Sequence, residues 1–154
     1  MSPTDITRID RSIEIAAPLE RVWQALTTAA ELSTWFQMII EGDIATGQEI
    51  WMTCLHPGYE GKRFSVRIVE LTPPTRFVWQ WHPGAADTSD DISHETPTTV
   101  TFALEPIAGG TRVSVAETGF DAISLERRAK VYQDNSQGWP TVLGWLDNHV
   151  KASS

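Results

Sequence analysis

The chain has 154 residues, 41% of them hydrophobic, and its 12 Lys and Arg against 20 Asp and Glu leave a net charge of -8. That length suits one domain, expected over 1–154 with a core from about 6 to 150, and the acidic balance argues against nucleic acid or an anionic membrane surface, which need clustered cations. No apolar run is long enough to insert into a membrane, the N-terminus lacks the features of a secretory leader, and Cys54 has no second cysteine to bridge to, so a soluble, cytoplasmic protein is expected.

From Ile6 to Ala16 the pattern alternates, with Ile9, Ile13 and Ile15 sharing one parity with Arg11, and predicts a half-buried strand. Ala17-Pro18 ends it. Pro18 suits the first position of a helix over LERVWQALTT, whose Val22, Ala25 and Leu26 form one stripe, and AAELSTWF adds a further turn or two carrying Leu32, Trp35 and Phe36. Strands follow at MIIEGDI and EIWMTCLH, the second with Ile50, Met52, Cys54 and His56 on one parity and both faces partly buried. His56-Pro57-Gly58-Tyr59-Glu60-Gly61 reads as a turn into KRFSVRIVEL. There Val66 and Ile68 compete with Val69 and Leu71 for the inner face, and the pattern alone leaves the register open.

RFVWQWH, Arg76 to His82, alternates most clearly, putting Phe77, Trp79 and Trp81 on one face. Pro83 to Pro97 is polar and acidic and reads as a long loop. Thr98–Glu105 and Thr111–Glu117 form a hairpin in which Val100, Phe102 and Leu104 face Val113 and Val115, with Glu117 on the same inward parity. The remainder, from about Ser124 to Val150, is helical, and Pro140 is expected to kink or restart it because proline removes a backbone donor. The order is therefore one strand, two short helices, about six strands in an antiparallel meander and one long C-terminal helix, an α+β arrangement. A curved sheet that buries its apolar face on a single helix leaves a cleft between them.

Several segments in this order carry a family resemblance: APLERVWQALTTAAELSTWF, the strand start Gly47-Gln48-Glu49-Ile50, VELTPPTRFVWQW, Gly109-Gly110-Thr111-Arg112-Val113, and the terminal GWPTVLGWLDNHV. They resemble the domain family named after the activator of the Hsp90 ATPase, within the START-like or Bet v 1-like superfamily. The resemblance implies a helix-grip fold, with a seven-stranded sheet around the C-terminal helix and a hydrophobic cavity between them. Superfamily members bind lipids, hormones or polyketides, and a few are cyclases or hydrolases, so the fold leaves function open.

Trp79, Trp81 and Trp139 are the candidate cavity wall, because aromatic rings offer large apolar area to a flat ligand; the same spacing also fits plain core packing. Phe77, Met52, Phe102, Val115 and Leu143 are further cavity candidates from the inward parities and the helical stripe. Glu117 and Arg11 place charge on apolar parities, where they either orient a polar end of the ligand or lie at strand ends in water. His56 and His82 border strands and are expected near one mouth of the sheet, as acid–base candidates or as solvated turn residues.

No HxxxH, HxH or HExxH spacing marks a metal site, and no GxGxxG, Walker loop or GxSxG elbow marks a nucleotide or serine-hydrolase site, so neither metal nor cofactor is expected. Three functions stay open: binding of a small hydrophobic ligand, an enzyme built around His56, His82 and Glu117 in the same cavity, or contact with an Hsp90-type chaperone. The expected assembly is a monomer or homodimer.

Overall fold

A computed structural model describes residues 7–84, 92 and 94–152. After β1 (Arg8–Ile15) come two short helices, α1 (Leu19–Thr27) and α2 (Ala29–Phe36). Six strands follow: β2 (Met38–Glu41), β3 (Glu49–Cys54), β4 (Arg63–Thr72), β5 (Arg76–Trp81), β6 (Thr98–Ile107) and β7 (Gly110–Thr118). A single 3-10 turn at Phe120–Ala122 leads into the long helix α3 (Leu125–Ala152). The strands form one antiparallel sheet in the order β1-β7-β6-β5-β4-β3-β2, so the meander runs from the β2 edge to β7 and β1 closes the other edge. This is the helix-grip fold.

The core lies between the inner face of the sheet and the three helices. Val22, Ala25 and Leu26 of α1 and Leu32, Trp35 and Phe36 of α2 are buried, as their helical spacing requires. On α3, Val131, Trp139, Leu143, Leu146 and Val150 recur on one face and join the same cluster as Phe77, Val100, Phe102, Val113 and Val115. At the β1–β7 edge the chain comes so close that a Cβ on Gly110 would lie 2.0 Å from the Ile15 carbonyl oxygen, and the adjacent Thr111 hydroxyl donates to the Ala17 carbonyl at 2.8 Å. Only glycine fits there.

The structure bears on three local expectations. The competition in β4 is resolved by a bulge: Ile68 pairs with Trp79 and Glu70 with Val78, so Val69 is the extra residue and the parity switches mid-strand. Val66 and Ile68 face inward before the bulge, and Leu71 packs on the core after it. In β3 Ile50, Met52 and Cys54 are buried, whereas on the other face Trp51 is 36% and the following Leu55 50% exposed, and among the described residues all three helices lie on the inner side of the sheet.

The third concerns Pro140. α3 runs as one helix from Leu125 to Ala152 with Pro140 inside it, rather than stopping or restarting. A proline at this position leaves the Ser136 carbonyl, four residues back, without its helical donor. Arg11 supplies one from β1: its Nη2 donates to the Ser136 carbonyl at 3.3 Å and to the Ser136 hydroxyl at 2.6 Å. The charged residue on the apolar parity of β1 thus bonds the Ser136 carbonyl that a proline on a different element leaves without a helical donor.

Candidate ligand cavity

The alternation of β5 builds an aromatic stack on the inner face. Phe77 and Trp79 are fully buried, with ring centroids 5.5 Å apart, whereas Trp81, the last residue of the strand, is only partly covered. Around Trp81 stand Trp79 at 5.4 Å, Phe64 and Trp139 at 6.0 Å, and Phe36 stacked at 6.3 Å. Core packing ends at this ring.

Beyond it lies a cavity of about 230 Å³. Phe36 and Met38 contribute from the α2–β2 junction, Cys54, His56 and Tyr59 from the end of β3 and its turn, Phe64 from β4, and Trp81, His82, Pro83 and Gly84 from β5 and the loop after it. Asn135, Val142 and Trp145 close it from α3, at spacings that share one helical face. A smaller space of about 80 Å³ adjoins it, sharing Phe36, Trp81, Asn135 and Val142 and adding Gly138 and Trp139. Among the described residues neither lining contains a lysine or arginine.

Behind the aromatic wall is a buried carboxylate. Glu117 on β7 is 0% exposed and accepts four hydrogen bonds. Oε2 receives the Trp81 indole N–H at 2.8 Å and the Thr98 hydroxyl at 2.6 Å. Oε1 receives the Trp139 indole N–H and the Asn135 amide, each at 2.9 Å. A buried carboxylate is tolerated only when its lone pairs are met, and here four neutral donors from β5, β6 and α3 meet them. The group holds Trp81, Trp139 and Asn135 in fixed orientations.

The loop after β5 is held at both ends where it is described. His82 Nε2 bonds the Glu95 backbone carbonyl at 2.8 Å, and Arg127 of α3 bonds the Glu95 carboxylate at 2.9 Å and the Pro83 carbonyl at 3.0 Å. The Arg127 guanidinium holds the Glu95 carboxyl below the usual carboxylate range, against the opposing effect of burial. Ile92, from the middle of the expected loop, is buried; residues 85–91 and 93 lie outside the described residues.

Of the residues singled out from sequence, Trp81 and His56 line the main cavity, as does His82, and Trp139 lines the smaller space. Trp79, Phe77, Met52, Phe102, Val115 and Leu143 lie in the packed core behind them. Glu117 and Arg11 are in neither lining: one is wholly enclosed, and the other reaches across to α3. The lining residues not expected from sequence, Phe36, Met38, Cys54, Tyr59, Phe64, Pro83, Gly84, Asn135, Val142 and Trp145, come from five separate segments. The helical spacing of Asn135, Val142 and Trp145 was the available signal. Among the described residues no group of three or more His, Cys, Asp or Glu is placed to hold a metal ion.

The sequence profile of the family described as Activator of Hsp90 ATPase homolog 1-like protein matches residues 16–151. The chain belongs to that family. Solved structures similar to this Hsp90-ATPase-activator-like chain include protein MLL2253 from Mesorhizobium loti, 20% identical over 96% of this chain and 98% of that one, with a TM-score of 0.75. The Aha1 dimer from Colwellia psychrerythraea is 22% identical over 93% and 95% of the two chains, with a TM-score of 0.69. DynU16, a protein in the dynemicin biosynthetic locus, is 18% identical with a TM-score of 0.72; the match covers 99% of this chain but 49% of that one. At these identities the likeness carries the fold alone. No curated protein matches this family member's sequence.

Proposed function

We propose that this protein binds a small aromatic or otherwise apolar molecule in the cavity between the sheet and α3, without changing it chemically. One observation carries the reading: a cavity of about 230 Å³ walled by Phe36, Phe64, Trp81, Val142 and Trp145, with few polar groups among them. An engineered apolar cavity of about 150 Å³ suffices to bind benzene, so one or two fused rings suit this one. Burying about 200 Å² of ligand surface at ~25 cal/mol per Å² gives about 5 kcal/mol, which corresponds to sub-millimolar affinity.

An enzymatic role in the same cavity has less support. Of its candidate groups, Glu117 has every lone-pair position occupied and no exposed surface, and His82 is bonded to a backbone carbonyl. Chaperone contact and homodimer formation draw on the family description and on the Colwellia dimer, and no side-chain arrangement described above adds to them.

The test is a titration of tryptophan fluorescence with a panel of one- and two-ring aromatics. Saturable changes are expected, since Trp81 and Trp145 both face the cavity. Their absence across the whole panel, checked by calorimetry, would overturn the proposal.

A further inference from the structure

The bonds made by Asn135 and His82 constrain what the ligand carries. Glu117 can only accept, so the Asn135 amide must turn its Nδ2 toward Oε1, at 2.9 Å. That fixes the orientation of an amide that lines both cavities and leaves Oδ1 as its acceptor, with no partner among the described residues. His82 is settled in the same way: a backbone carbonyl can only accept, so Nε2 carries the proton donated to Glu95 at 2.8 Å. In the neutral ring Nδ1 is then an acceptor as well.

Two acceptors thus belong to residues of a cavity with no lysine or arginine among the described residues of its lining, and a carboxylate lies directly behind Trp81 and Asn135. An anionic ligand would meet an adverse charge nearby and, among the described residues at the cavity, no unpaired cation, the Arg127 guanidinium beside Pro83 and Gly84 being already paired with Glu95, whereas a hydroxyl or ring N–H on an aromatic ligand would find an acceptor already oriented. We infer that the ligand is an uncharged aromatic bearing a hydrogen-bond donor, of the phenol or ring N–H class, and that Asn135 Oδ1 receives that donor. This rests on the cavity being a ligand site, and the experiment separates the two claims.

Calorimetric titration at pH 8 with naphthalene, 2-methylnaphthalene, 2-naphthol and 2-naphthoate holds the ring constant and varies one substituent. Partition alone favours the methyl compound over the hydroxyl, because an unpaired hydroxyl is costly to bury. With the acceptor in place, 2-naphthol binds at least about threefold tighter than 2-methylnaphthalene, and 2-naphthoate at least about tenfold weaker than 2-naphthol. Asn135→Leu removes the acceptor and brings the naphthol and methylnaphthalene affinities to within about twofold or reverses their order.

If the apolar compounds bind and 2-naphthol has no advantage, or if 2-naphthoate binds as tightly, the ligand class is overturned while the cavity reading stands. If none of the four binds, both fall. Should Asn135→Leu fail to fold, the wild-type ratio of naphthol to methylnaphthalene still decides.

Discussion

Of the three indoles packed around Phe36, with Trp79 at 6.0 Å between the other two in distance, Trp35 at 5.5 Å and Trp81 at 6.3 Å do different work. Trp35 is buried, and its N–H donates at 2.8 Å to the carbonyl of Ala25, in the last turn of α1 where carbonyls run out of helical partners. It closes a corner between neighbouring helices. Trp81 faces open space on one side, and its N–H is tied to a carboxylate 36 residues further along the chain. Residue type and shared neighbour are the same; what separates structural filler from a binding wall is the partner of the N–H and the space beyond the ring.

The sharpest way to break that contrast is to remove the group behind the wall. Glu117→Leu strands four donors at once in a buried site, and a loss of about 3–5 kcal/mol in urea denaturation is expected. A loss under about 1 kcal/mol would mean that the donors find other partners and the wall is not set by Glu117. Trp35→Leu comes next, at about 2–4 kcal/mol, with the affinity of the remaining folded protein for an aromatic ligand unchanged. Trp81→Leu, at about 1–3 kcal/mol, is milder on stability but weakens that affinity about tenfold or more. If the two tryptophans exchange these signatures, the cavity has been placed on the wrong side of Phe36.

The smallest effect sharpens the account of α3. Arg11→Met is expected to cost about 1 kcal/mol through the Ser136 carbonyl, and less when Pro140→Ala has restored a backbone N–H to that carbonyl. Additive costs in the double variant would show that Arg11 acts through some other contact.

The sheet was legible because a period of two survives burial: β7 alternates without a break from Gly110 to Thr118, and Phe77, Trp79 and Trp81 mark the inner face of β5 directly. β4 was not, because a bulge at Val69 changes parity inside one strand, so that one reading holds for Val66 and Ile68 and the other for Leu71, while Val69 itself is exposed. Pro140 leaves a kink and a restart both open from sequence, because the donor that answers it, Arg11, lies 125 residues from Ser136. The cavity posed the same difficulty on a larger scale. Trp81 and His56 could be named from strand pattern, but Asn135 acquires its orientation only from Glu117, and no spacing along the chain records that pairing.

The Glu117 cluster also divides the cavity mechanically. β5, β6 and α3 are joined through one carboxylate by directional bonds, so lifting the helix from this part of the sheet would break several of them together. On the opposite wall Met38 and Phe64 sit on strands fixed in the sheet by the β2–β3 and β3–β4 ladders, but the apolar side chains they present pack without a preferred direction. The pocket therefore has an anvil and a cushion: a guest is gauged against the bonded tryptophan side, and differences in its girth fall to the side chains of Met38 and Phe64, which have no directional bond to lose.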